Sequence, residues 1–238
     1  PGTTVPLSSG TTFVCAIAVW SEKTGLMRIN TANRALESRI GLISGGGNND
    51  FLDGGLGNDV ISGDKGADQI FGAEGADTIW GGTEDDIIFG GADDDTITGG
   101  LGDDTIVGGA GNDVAIFSGS RDEFTFSVAN DGTLTVTSPA SSVGVDTVSG
   151  IETLRFDDGD YQVTTDAFGS VTITGTSGDN IITLTGSVGA RLEGLGGADT
   201  IFGGSGDDVL LGAAGGDQIF AGSGADNIIG GDGVDFID

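Results

Sequence analysis

Aspartate returns at every ninth residue over two long stretches of this chain: Asp50, Asp59, Asp68, Asp77, Asp86, Asp95, Asp104 and Asp113 in the first, and Asp199, Asp208, Asp217, Asp226 and Asp235 in the second. Each is reached through a glycine-rich loop, as in "GGLGDDTIV" at residues 99–107. Carboxylates set at fixed intervals among loop carbonyls form a donor set of hard oxygens, which takes calcium rather than zinc or copper. Magnesium is disfavoured, because it wants a small octahedral site and holds its waters. The chain contains no histidine. That removes the commonest general base and the commonest zinc ligand, so hydrolase triads and HExxH sites cannot be built. The chain reads as a non-enzyme, with no catalytic residues and no organic cofactor.

The elements that position these aspartates are repeats of nine. From residue 45 the chain reads GGGNNDFLD, GGLGNDVIS, GDKGADQIF, GAEGADTIW, GGTEDDIIF, GGADDDTIT, GGLGDDTIV and GGAGNDVAI, ending at Ile116. A second array starts with GTSGDNIIT at 175–183 and, after an irregular decapeptide, runs through GLGGADTIF, GGSGDDVLL, GAAGGDQIF, AGSGADNII and GGDGVDFID to Asp238. In each nonamer the first six residues are turn-formers, since glycine accepts positive φ without steric cost, and the last three are β-formers. Position 8 is the inward one, held by Leu52, Ile61, Ile70, Ile79, Ile88, Ile97 and Ile106 and by Ile201, Leu210, Ile219, Ile228 and Ile237. Two nonamers make one coil of about 18 residues, so alternate repeats stack as parallel strands about 4.8 Å apart.

The aspartates therefore fall into columns: Asp50, Asp68, Asp86 and Asp104 against Asp59, Asp77, Asp95 and Asp113, then Asp199, Asp217 and Asp235 against Asp208 and Asp226. Unit charges at that spacing repel by about 0.9 kcal/mol in water and by about 3.5 kcal/mol at an effective dielectric of about 20. Cations between the rungs are required. A solvated Gly/Asp linker is the bland alternative, but a linker has no reason to keep position 8 aliphatic.

These nonamers resemble the RTX (repeats-in-toxin) family, whose motif G-G-x-G-x-D-x-U-x marks a calcium-binding parallel β-roll. The resemblance covers about half of the chain. It implies an all-β fold of two right-handed parallel β-rolls of nonapeptide repeats, separated by an antiparallel β capping segment. It also implies that each ion lies between two loops of one column, held by position 6 aspartates and by carbonyls of positions 1 and 3 of one loop and 2 and 4 of the other. The glycines carried over on that basis are Gly46, Gly55, Gly57, Gly63, Gly66, Gly72, Gly75, Gly81, Gly90, Gly99, Gly102, Gly108, Gly197, Gly206, Gly212, Gly215 and Gly230. Loops 54–59, 99–104, 108–113 and 203–208 keep all three motif glycines. Asn48, Glu84 and Asp93 replace the position 4 glycine, Ala221 a first glycine, and Asn180 an aspartate, which weakens or removes that site. One ion per adjacent loop pair predicts about six in the first array and about three or four in the second, about 8–10 in all.

The organisation expected is an N-terminal cap or docking segment at 1–44, a first roll at 45–116, an antiparallel cap or linker at 117–174 and a second roll at 175–238. "EFTFSVA", "NDG" and "TLTVTS" read as a hairpin. In the segment 145–163, Val148, Ile151, Leu154 and Phe156 are apolar anchors, while Tyr161 among Asp157, Asp158 and Asp160 reads as a solvated turn, with a carbohydrate contact as the sharper alternative. Residues 1–44 carry Lys23, Arg28, Arg34 and Arg39 against Glu22 and Glu37, so +2 stands beside −31 for the remainder. A short helix over 31–39 is expected after the N-cap Asn30. Cys15 lies in the run "FVCAIAVW"; as the single cysteine it forms no intrachain disulfide and reads as a buried hydrophobe. That run is too short to span a bilayer and has no basic segment before it, so neither a membrane helix nor a signal peptide is expected. Phe71, Phe89 and Val107, with Phe202 and Phe220, put apolar side chains at position 9, which predicts packing against the cap or the other roll, with an oligomer interface as the alternative.

A net charge of −29 repels nucleic acid and anionic lipid alike, so no nucleic-acid partner and no direct membrane insertion are expected. The partners are calcium ions, and a homo-oligomer or larger surface assembly. The resemblance implies type I secretion and folding outside the cell. The function expected is a calcium-folded structural or adhesive module of a secreted, extracellular cell-surface protein of S-layer or adhesin type. The alternatives are a protein that coats a larger particle or filament, and the repeat tail of a secreted protease or lipase.

Overall fold

β-branched and aromatic residues at positions 7 to 9 open each strand of the first array, and the next two or three residues extend it, as in Phe51–Leu56 and Val60–Lys65. Parallel pairing then joins residues 18 apart, Leu52 to Ile70 to Ile88 to Ile106 on one side and Ile43 to Ile61 to Ile79 to Ile97 on the other. Two sheets face each other, and their position 8 side chains meet between them. Leu52, Ile61, Ile70, Ile79, Ile88 and Ile97 all have 0% exposure, each worth about 1.5–3 kcal/mol of apolar burial. This computed structural model describes residues 41–138, 144–166 and 169–238. Cys15, the helix expected over 31–39 and most of the basic segment lie outside the described residues.

Among the described residues the fold is all-β, a parallel solenoid of stacked coils whose one helical element is a 3-10 turn at Arg121–Glu123. The antiparallel segment stands between the two arrays as expected, but it splices them as well as separating them. Thr153–Phe156 pairs parallel with Val114–Ile116, turns back antiparallel through Gly159–Thr165 to Val171–Thr174, and this last strand pairs parallel with Arg191–Gly196 of the second array. One sheet of eleven strands thus runs through both arrays. On the other side Val145–Ser149 pairs with Thr105–Ala110, followed outward by Leu134–Thr137 and Thr125–Val128. A bridge from Phe126 to Leu184 then meets the short third sheet, which begins at Ile181–Thr183. Leu42–Ser44, placed with the N-terminal segment on sequence, already run in the first strand of the stack.

Aromatic rings fill the core of the splice. Phe117, Phe124, Phe126, Phe156 and Tyr161 are buried together, with ring centroids 4.9–5.8 Å apart. Tyr161 corrects the sequence reading: it is fully buried, its hydroxyl donates to the Ile181 carbonyl at 2.7 Å, and Arg121 lies over its ring. The position 9 phenylalanines stack on one another, Phe71 on Phe89 and Phe202 on Phe220, each pair at 4.9 Å, and among the described residues they stay partly exposed; most of the N-terminal segment expected as a cap lies outside those residues.

Candidate metal sites between the loops

In every loop of the first array two residues take left-handed backbone, at positions 2 and 4, and these reverse the chain between strands; the second array keeps both in its loops at 194–199, 212–217, 221–226 and 230–235. Gly75 shows why glycine is favoured: its φ is +120°, and a Cβ there would come within 2.5 Å of the Gly57 carbonyl one coil back. Where the motif departs from glycine the hand is kept, with φ of +74° at Glu84, +73° at Asp93 and +117° at Asn48. Glu84 accepts this conformation at a cost of about 1 kcal/mol and adds charge beside Asp68 and Asp86. Glu84→Gly is therefore expected to stabilise the calcium-loaded chain by about 0.5–1 kcal/mol, read as a raised thermal midpoint. An unchanged or lower midpoint contradicts this.

The position 6 aspartates form two buried ladders. Each accepts, through Oδ1, the backbone N–H of the aspartate one coil back: Asp68 from Asp50, Asp86 from Asp68 and Asp104 from Asp86 on one side, Asp77 from Asp59, Asp95 from Asp77 and Asp113 from Asp95 on the other, at 2.7–2.9 Å. In the second array Asp199 accepts from Asn180, Asp217 from Asp199, Asp235 from Asp217, Asp208 from Ala190 and Asp226 from Asp208. An outer row runs the opposite way at position 5, where Asn58, Asp85, Asp94 and Asp207 accept the N–H of the next coil.

The second oxygen of the inner ladder has no such use. Oδ2 is buried and meets no donor in Asp50, Asp59, Asp68, Asp77, Asp86, Asp95, Asp104, Asp113, Asp199, Asp208 and Asp217. An unsatisfied buried charged oxygen is among the costliest groups a fold can hold. In a regular rung it shares a small space with a carbonyl of the next coil. A Cβ built on Gly54 would lie 2.7 Å from Asp59 Oδ2 and 2.6 Å from the Gly72 carbonyl; on Gly203, 2.9 Å from Asp208 Oδ2 and 2.6 Å from the Ala221 carbonyl. Gly63, Gly72, Gly81, Gly90 and Gly212 repeat the arrangement. The first glycine of the motif thus keeps open a gap lined by a carboxylate oxygen and a carbonyl oxygen, a donor set that suits calcium.

Burial drives these carboxyls up, helped by the neighbouring carboxylates: Asp86 and Asp95 to about 7, Asp59, Asp68 and Asp199 to about 6, and Asp104, where Asp85 and Asp103 add to it, to about 6. Among the described residues no three acidic side chains gather as a cluster, so any cation here must draw on main-chain carbonyls. Asn180 is the instructive exception. It keeps the ladder bond to Asp199, but its Oδ1 accepts from the Thr176 N–H and its Nδ2 donates to Thr176 Oγ1. Its polar atoms are satisfied where the aspartates leave an oxygen over.

Two ladder residues escaped the sequence reading. Asp146, 3% exposed, accepts the Asp104 N–H at 2.8 Å, and burial raises its carboxyl to about 7. Glu152 accepts the Asp113 N–H through Oε2 at 2.8 Å. The signal was present as an echo: "DTVSG" at 146–150 repeats "DTIVG" at 104–108, and "ETLRF" at 152–156 follows "DVAIF" at 113–117.

Residues 44–79, 80–115, 185–219 and 212–238 match the RTX calcium-binding nonapeptide repeat, in four copies. Among solved structures the chain is similar to the extracellular lipase LipA from Serratia marcescens, at 24% identity and a TM-score of 0.33 over 79% of this chain and 32% of the lipase. The chain thus spans about a third of that lipase's length. No curated protein matches.

Proposed function

The chain belongs to the family of RTX calcium-binding nonapeptide-repeat proteins, and from that premise we propose that it serves as a calcium-folded structural or adhesive module of a secreted bacterial surface protein. Calcium is the bound ion of the family, and the ligands proposed in this chain are the position 6 aspartates with the loop carbonyls. The observation that carries the reading is the row of buried Oδ2 atoms without donors, each beside a carbonyl of the next coil. A divalent ion supplies the missing positive partner and ties successive coils together.

Outside the cell calcium is millimolar, which matches the 10⁻⁴–10⁻³ M affinities of extracellular calcium modules. Secretion as an unfolded, ion-free chain followed by folding on calcium is the sequence of events proposed. No helix among the described residues is long and apolar enough to cross a membrane. Assembly at a surface would use the partly exposed phenylalanine ladders as contacts. The test is negative-stain imaging of native material with calcium and after a chelator wash. Ordered surface assemblies that disperse on chelation support the surface role. Dispersed particles in both conditions, or a native polypeptide that also carries a hydrolase activity, overturn it.

A further inference from the structure

We propose that the segment joining the two rolls carries a calcium site of its own, built by Asp113, Gly150 and Glu152, two of which lie outside the repeats. The proposal rests on the reading that the aspartate ladders bind calcium.

The splice continues the register of one aspartate column. Along one column, Asp59 Oδ2 lies beside the Gly72 carbonyl, Asp77 Oδ2 beside that of Gly90, and Asp95 Oδ2 beside that of Gly108. The next member is Asp113, and the carbonyl beside its Oδ2 at Gly108 is that of Gly150. Glu152 then takes the role of the following aspartate, accepting the Asp113 N–H at 2.8 Å, as Asp113 accepts that of Asp95 at 2.8 Å. Three residues, Gly150 to Glu152, thus reproduce what a repeat does with six, and the longer glutamate arm makes up for the shortened loop.

The space is built for a cation. Asp113 is 0% exposed and its Oδ2 meets no donor. Arg155, the nearest basic residue in sequence, is turned to Asp160 at 3.1 Å. The N–H groups of Glu152 and Thr153 donate to the Asp113 carbonyl, which fixes the segment against the last loop and leaves the carboxylate oxygen unpaired. A calcium ion here would fasten the first roll to the splice in the way the others fasten coil to coil.

The experiment is calcium counting by equilibrium dialysis and native mass spectrometry on the full chain and on Glu152→Gln, which retains the acceptor for the Asp113 N–H and removes the charge. The expected result is one ion fewer per chain, with the remainder bound as before. An unchanged count overturns the proposal. Should the variant fail to fold in saturating calcium, Glu152→Asp is measured instead, with one ion expected to bind at least tenfold more weakly and unchanged binding again overturning the proposal. If the unmodified chain binds no calcium, the underlying reading of the ladders has failed instead, a different outcome from a chain that binds its ions and ignores Glu152.

Discussion

In chelator at pH 7 the full chain is expected to lose its β-structure, and millimolar calcium to restore it in one cooperative transition followed by circular dichroism. The cause is the arithmetic of the ladders. At free calcium ten times the dissociation constant, each site contributes about 1.4 kcal/mol, so eight to ten sites supply about 11–14 kcal/mol, comparable to the whole stability of an ordinary domain. Against this stand a thin core, with two aliphatic side chains per coil, and the ordering of the glycine-rich loops, glycine being the residue that loses most backbone freedom on folding. Without cations the carboxylates also repel along every column. Equal β-content with chelator and with calcium would contradict this account.

Acid is expected to act on the ion-free chain in the opposite sense from its usual effect. Asp59, Asp68, Asp86, Asp95, Asp104, Asp146 and Asp199 have folded-state values of about 6 or 7 against 3.8 when free, because burial penalises their charge. The folded chain therefore binds more protons than the unfolded chain between those values, and its stability rises as pH falls. The penalty is in full force above pH 7, is relieved as each group protonates, and is gone below about pH 4. In chelator, lowering the pH from 7.5 to 4.5 should recover β-structure at micromolar concentration. With calcium present the slope reverses, since protons compete for the same oxygens, and the calcium concentration at half-folding should climb as pH drops below about 7. Progressive loss of structure with acid in chelator would sink this prediction.

Much of this was legible because a nine-residue period couples two facts that reinforce each other. Ile61, Ile79 and Ile97 place one aliphatic side chain inward per strand, and the aspartate two residues earlier is then carried to the same edge of every coil. Neither depends on tertiary context, so columns and core follow from counting. The splice was not legible in the same way. Asp146 and Glu152 lie 42 and 39 residues beyond their ladder partners, in place of 18, because a hairpin and a reversed strand intervene, and a search at fixed period passes over them. Tyr161 misled for a related reason. Its acidic neighbours suggest water, yet Asp160 pairs with Arg155, and Asp157 and Asp158 accept the N–H groups of Gly119 and Arg121, which leaves the ring free to enter the aromatic core.

Anomalous diffraction from crystals grown in calcium tests the central claim most directly, because it locates the metal itself. The account predicts a calcium peak between Asp77 Oδ2 and the Gly90 carbonyl, repeated at each regular rung. Coils stacked in this register around aspartate ladders that hold no metal would contradict it.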